Sequence, residues 1–195
     1  MLCPLVLAVG LVAGAATAGQ ASQPSQEQIQ ITDSALPPAT LEEMWQEADI
    51  VAVVRIRTAL LKEIQSSPSH PTRLLTEHRA VVSELLKTKE PLEVSDEMSI
   101  SVAVGTKTLA DGQTVKAIAA GVRAFLPGEV LLVFLKRWPF AGGYGLAYGQ
   151  AGYYQFDHPQ IALPVEVSQW PTFAGRRSVS RAEFMAALRR LKSLE

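Results

Sequence analysis

The sequence predicts a mainly β fold, a small antiparallel barrel or sandwich with a short helix before it and an amphipathic helix after it. Three observations carry this expectation. Short segments of alternating apolar and polar residues follow one another between about 50 and 156 without helices placed between them, which disfavours a parallel α/β sheet. Residues 130–135, "VLLVFL", are apolar without a break. That run is too short to cross a bilayer as a helix and is the length of a strand buried on both faces. Thr40 with Glu43 and Ser180 with Glu183 each make a capping-box signature, marking a helix start on either side of the strands.

Taken in order, residues 2–18, "LCPLVLAVGLVAGAATA", are uncharged and end in Ala16-Thr17-Ala18, a small-x-small cleavage pattern. Segment 1–18 therefore reads as a secretory signal peptide, and the chain as secreted or periplasmic. Contact with a membrane is expected only if that segment stays uncleaved. Residues 19–39 are rich in Gln and Ser and close with Pro37-Pro38, the composition of a flexible linker. A single domain is expected over 40–195. Leu41, Met44 and Trp45 share one face of a helix at about 41–48.

The strands come next. In "DIVAVVRIR", Ile50, Ala52, Val54 and Ile56 form one wholly apolar face. A strand over about 74–86 loses its alternation near Glu84, which predicts a bulge, with a helix over the same residues as the competing reading. Segment 98–104 alternates cleanly, and Asp111-Gly112 predicts a two-residue hairpin turn. In the run after Pro127-Gly128, Val130, Leu132 and Phe134 point one way and Leu131, Val133 and Leu135 the other. Its outer face needs a cover, and the C-terminal helix, with Phe184, Leu188 and Leu191 in a stripe, is the expected one. Two short glycine-punctuated strands lie at about 144–156, and 157–179, with three prolines, is expected to be irregular.

Composition narrows the function. The chain has 195 residues, 48% apolar and 19% charged, with a formal net charge of −1, so it lacks the basic surplus expected of a nucleic-acid protein. Cys3 is its one cysteine. Cleavage after Ala18 leaves a mature chain with no disulfide, thiolate metal site or cysteine nucleophile.

The pattern "EADIVAVVRIR", "VVSELLK", "FLPGEVLLVFLKR" and "YGLAYGQAGYYQFD" over roughly 45–157 resembles secreted bacterial proteins of unknown activity. Their antiparallel β-barrels are OB-like and resemble the netrin and metalloproteinase-inhibitor (TIMP-like) modules. The resemblance implies an OB-like barrel. It does not imply protease inhibition, because the animal inhibitors chelate zinc through a disulfide-bonded N-terminal cysteine and the mature chain here has none.

Few residues point to catalysis. His70, His78 and His158 lack the tight spacing of a zinc site and are expected at the surface, so no metal or other cofactor is expected. A Ser-His-Asp set could be drawn from Ser83, His78 and Asp157, but no nucleophile elbow supports it. The glycines of "GGYGLAYGQAG" lack the lysine of a phosphate loop and read as turns. Six cations in 176–192 face two carboxylates, Glu183 and Glu195, and read as a solvated helix face. Eight of the chain's thirteen aromatics, by contrast, fall within 134–156. Phe134 and Phe156 are expected in the core, whereas Tyr144, Tyr148, Tyr153 and Tyr154 each need a hydroxyl partner and are harder to hide. The sequence therefore predicts a non-enzymatic binding module. Trp138, Tyr144, Tyr148, Tyr153, Lys136 and Arg137 border its site, which would hold an envelope protein segment or a glycan. The competing class is a hydrolase with an unrecognised active site.

Overall fold

The structure, a computed structural model, describes residues 27–32, 38–64, 73–110, 112–138 and 142–194. The expected signal peptide, His70, Asp111 and Phe140 lie outside them. The fold is mainly β, as expected.

Its centre is five strands: β2 (Ile50–Ile64), β3 (Arg73–Thr88), β4 (Glu97–Val102), β7 (Val130–Trp138) and β8 (Gly143–Leu146). Strand β3 pairs antiparallel with β2 and β4, and β4 runs parallel to β8 through Ile100↔Tyr144 and Ser101↔Gly145. Strand β7 pairs antiparallel with β8 and, along its other edge, with β2 from Ile50↔Leu135 to Arg55↔Val130. The pairings thus run β2-β3-β4-β8-β7 and return to β2. The register slips between Val53 and Val54, where Ser83 is the extra residue on β3, placing a bulge beside Glu84 as the broken alternation predicts. Strand β9 (Tyr153–Gln155) adds to β7.

Alternation along β2 and β7 produces two cores. Ile50, Ala52, Val54 and Ile56 meet Leu131, Val133 and Leu135 in an inner core with Ala80, Val82, Met98, Ile100 and Phe125. Val51, Val53, Leu132 and Phe134 face the other way, beneath both helices. Helix α1 (Leu41–Glu47) contributes Leu41, Met44 and Trp45. Helix α3 (Arg181–Lys192) contributes Phe184, Met185, Leu188 and Leu191. The C-terminal helix is therefore part of the cover, and α1 shares it.

Both helix starts form where the sequence predicts, but in neither does the glutamate return to the N–H of its own N-cap. Thr40 Oγ1 accepts the Glu43 N–H at 3.1 Å, and Glu43 reaches back to the Ala39 N–H at 2.9 Å. Ser180 Oγ accepts the Glu183 N–H at 3.2 Å, but the Glu183 carboxylate goes to Arg176 at 2.7 Å, so the second box is half made. The other end of α1 is capped by Lys87. Its Nζ donates to the Trp45 carbonyl at 2.6 Å, where a cation meets the negative end of the helix.

Four further expectations need correction. Segment 19–39, read as linker, contains β1 (Glu27–Thr32), which runs parallel to β6 (Thr114–Ala119) from Glu27↔Thr114 to Thr32↔Ala119. The hairpin between β5 (Gly105–Thr108) and β6 turns through three residues instead of two. Leu109 N–H bonds to the Gln113 carbonyl, and Gly112, at φ +82°, takes the left-handed position that closes such a loop. Segment 157–179 is more regular than its prolines suggest. It holds β10 (Gln160–Ala162), paired with β11 (Ser178–Ser180), and α2 (Val165–Ser168), and it puts Ile161, Val167, Trp170, Phe173 and Val179 into the outer core. Tyr154 is hidden after all, between Phe134 and Phe184 at 6.2 and 4.8 Å, with no hydroxyl partner among the described residues.

Val133 has no exposed surface. Val133→Asp places an unpaired charge in the inner core, so we expect a loss of more than about 4 kcal/mol in denaturant unfolding. A variant melting within a few degrees of the parent contradicts the two-faced burial of β7.

Candidate binding cleft

The end of β7 sets the geometry of the expected site. Once the strand leaves the core, its alternation sends Lys136 and Arg137 to opposite faces. Each finds a tyrosine and a glutamate. On the outer face Lys136 Nζ lies 5.0 Å from the Tyr148 ring and 2.5 Å from Glu47 Oε2, which also accepts the Tyr148 hydroxyl. On the inner face Arg137 stands 6.0 Å from the Tyr144 ring and 2.5 Å from Glu90 Oε2, and Tyr144 donates to the same carboxylate at 2.6 Å. The two clusters tie β7 and β8 to α1 on one side and to the residues following β3 on the other.

Electrostatics follow the contacts. The Lys136 bond, then the Tyr148 bond, holds the Glu47 carboxyl below the usual range. Tyr144, then Arg137, does the same for Glu90. Burial, reinforced by Glu90, pushes the Tyr144 phenol up to about 12, so it stays a donor. Asp49 links the clusters: it accepts the Arg137 backbone N–H at 2.9 Å and the Lys89 ammonium at 3.3 Å. Lys136 and Arg137 are thus neutralised within the protein and are not a free basic patch.

Between these clusters lies a cleft of about 330 Å³. It is lined by Lys136, Arg137, Trp138 and Tyr148 with a series of small residues from β4, the β6 end and the β8 end. Gly145 helps Trp138 fit: a side chain there would place its Cβ 3.1 Å from the indole, a tight contact that glycine avoids. Four of the six expected residues therefore come together. Tyr144 faces the inner core behind the strand. Tyr153 lies elsewhere, against Phe125 at 5.0 Å, with its hydroxyl on the Gly121 carbonyl. The sequence reading missed Ser101, Ala103, Ala119, Val122 and Ala147, because small residues carry no chemical signature. Only Ala147 had a local signal, the glycine and alanine density of "GLAYGQAG".

His78 also departs from expectation. It is fully buried on the inner face of β3, where it pairs with Ile100, and is not a surface histidine. Tyr153, half-buried against the same core, has its phenol pushed up by that burial. No group of three or more His, Cys, Asp or Glu among the described residues could hold a metal ion. The C-terminal cations are partly absorbed: Arg176 pairs with Glu183, Arg189 with Glu84 at 3.2 Å, and Arg181 lies over Phe156. No helix among the described residues is long and apolar enough to cross a membrane. No protein-family model matches the chain, and no curated protein matches it.

Asp49 gives this region a pH dependence. Its carboxyl is lowered from 3.8 chiefly by the Arg137 N–H, so its contribution is present above the ordinary aspartate range and is lost as pH falls through the lowered folded value. Asp49→Asn should cost about 1 kcal/mol at neutral pH, and the gap to the parent should close on acidification below 3.8. A gap independent of pH in thermal melts contradicts this assignment.

Proposed function

We propose that the chain is a secreted, non-enzymatic binding module on an OB-like barrel, which holds an envelope protein segment or a glycan in the cleft beside Trp138. The observation that carries this reading is the cleft itself, at the low end of the size range of ligand sites and walled by an indole. The pairing order supports the barrel. Numbering the central strands one to five along the chain gives the cyclic order one-two-three-five-four-one, with three and five parallel. That is the order of an OB-type barrel.

In such barrels ligands lie on the face of the second and third strands and against the loops joining one to two and four to five. Here Ser101, Val102 and Ala103 come from the end of the third strand, and Trp138 ends the fourth. The apolar segment before Ala18 supports export. The TIMP-like resemblance agrees with a binding role through its fold alone.

The test is NMR shift mapping of the chain without residues 1–18 against soluble oligosaccharides and extended peptides. Shifts should concentrate at 101–103, 119–122 and 145–149 for one class. Trp138→Ala should abolish them while melting stays within a few degrees of the parent. Shifts centred elsewhere, binding that survives Trp138→Ala, or turnover of the probe contradicts the proposal.

A further inference from the structure

Residues 120–129, joining β6 to β7, contain no helix or strand and return to the inner core at Phe125, which is 1% exposed. Both roots of this connection are tied down. At one root the Tyr153 hydroxyl donates to the Gly121 carbonyl at 3.3 Å. At the other, Ile56 N–H donates to the Glu129 carbonyl at 2.9 Å and Gly128 N–H to the Ile56 carbonyl at 2.8 Å. Arg123 grips both Glu129 carboxylate oxygens at 2.9 and 2.7 Å.

In the middle, Leu126 N–H donates to the Glu129 carboxylate at 2.8 Å and the Phe125 ring packs on Tyr153 and on one imidazole. The Phe125 ring lies 4.9 Å from the His78 ring, and the Phe125 N–H donates to His78 Nε2 at 3.5 Å. Accepting that bond requires Nε2 to be unprotonated, which puts the proton of the neutral ring on Nδ1. Nδ1 is buried and has no partner among the described residues. The ring is therefore arranged to be neutral, with no hydrogen-bond acceptor at Nδ1 among the described residues.

We propose that His78 and Phe125 form an acid-operated plug: protonation of His78 at Nε2 turns its acceptor into a donor, breaks the bond to the Phe125 N–H and releases the connection from the inner core. The charged groups around the ring do not rescue the cation. Glu129, at the start of β7, attracts it, and Arg123 on the connection repels it. Strands β2 and β4 place Ala59 and Ile100 opposite His78, and β9 presents the neutral Tyr153 phenol to Phe125. The chain neighbours Glu77 and Arg79 pair with each other, and Glu77 also with Lys62. Burial outweighs the Glu129 attraction and lowers the ring from 6.5 to about 4. The open form takes the proton more readily than the closed one, so closure weakens as pH falls from 6.5 towards about 4 and is strongest above that window.

The experiment is amide exchange at Phe125 in the full domain, corrected for intrinsic rates and followed beside the ring shifts of His78. We expect exchange at Phe125 to rise at least tenfold between pH 6.5 and the His78 midpoint, with both midpoints coinciding. His78→Gln, which offers an acceptor that does not titrate, should hold Phe125 flat over the same range. The proposal is overturned if His78 protonates with Phe125 still protected, if Phe125 opens with the ring neutral, or if His78→Gln opens at the parent's pH. Should His78→Gln not fold, the coincidence of midpoints in the parent decides alone.

Discussion

Strand β7 is shielded from water on both sides, and most of the architecture follows from supplying it with neighbours. Leu131, Val133 and Leu135 demand an inner core, which β2, β3 and β4 provide. Leu132 and Phe134 demand an outer cover, which α1, α3 and the aromatic segment 153–173 provide. With five fully buried residues at about 1.5–3 kcal/mol each, the strand supplies a large share of the apolar stabilisation of a domain whose net stability is of order 5–15 kcal/mol. Its backbone is equally committed, since β2 takes one edge and β8 and β9 the other.

The same strand creates the cleft by ending. Lys136, Arg137 and Trp138 are the first residues beyond the core, and their alternation distributes them around β8. Each cation is matched by a glutamate from a different part of the chain, Glu47 from α1 and Glu90 from the end of β3, so cleft geometry and helix placement are coupled. Because each carboxylate also accepts a tyrosine hydroxyl, the two rings are held in place. What is left for recognition is Trp138, the small residues facing it and the shape they leave.

Local patterns in the sequence carried the local structure. Strict alternation located the two faces of β2 and β7, Thr40 and Ser180 located both helix starts, and the broken alternation at Glu84 located a bulge. Long-range satisfaction stayed hidden. Nothing local indicates that Glu47 and Glu90 will pair with Lys136 and Arg137, which turned an expected basic-aromatic patch into two ion-paired surface clusters. Nor does a lone histidine beside a glutamate reveal that alternation turns His78 inward, where burial among Ile100 and Phe125 keeps it neutral. Segment 157–179 misled for a related reason: its prolines mark the chain's turns, while Phe173 finds its partner in Phe184 of the following helix and Trp170 finds Phe173 and the Pro38 carbonyl.

Amide hydrogen exchange along β7 tests the organising role of this strand most directly. If both faces and both edges depend on it, the amides of 131–135 exchange only through global unfolding, at the slowest rates in the chain and with the full denaturant dependence. Exchange at 131–135 through local opening, as fast as in the peripheral β5–β6 hairpin, contradicts the view that β7 holds the fold together.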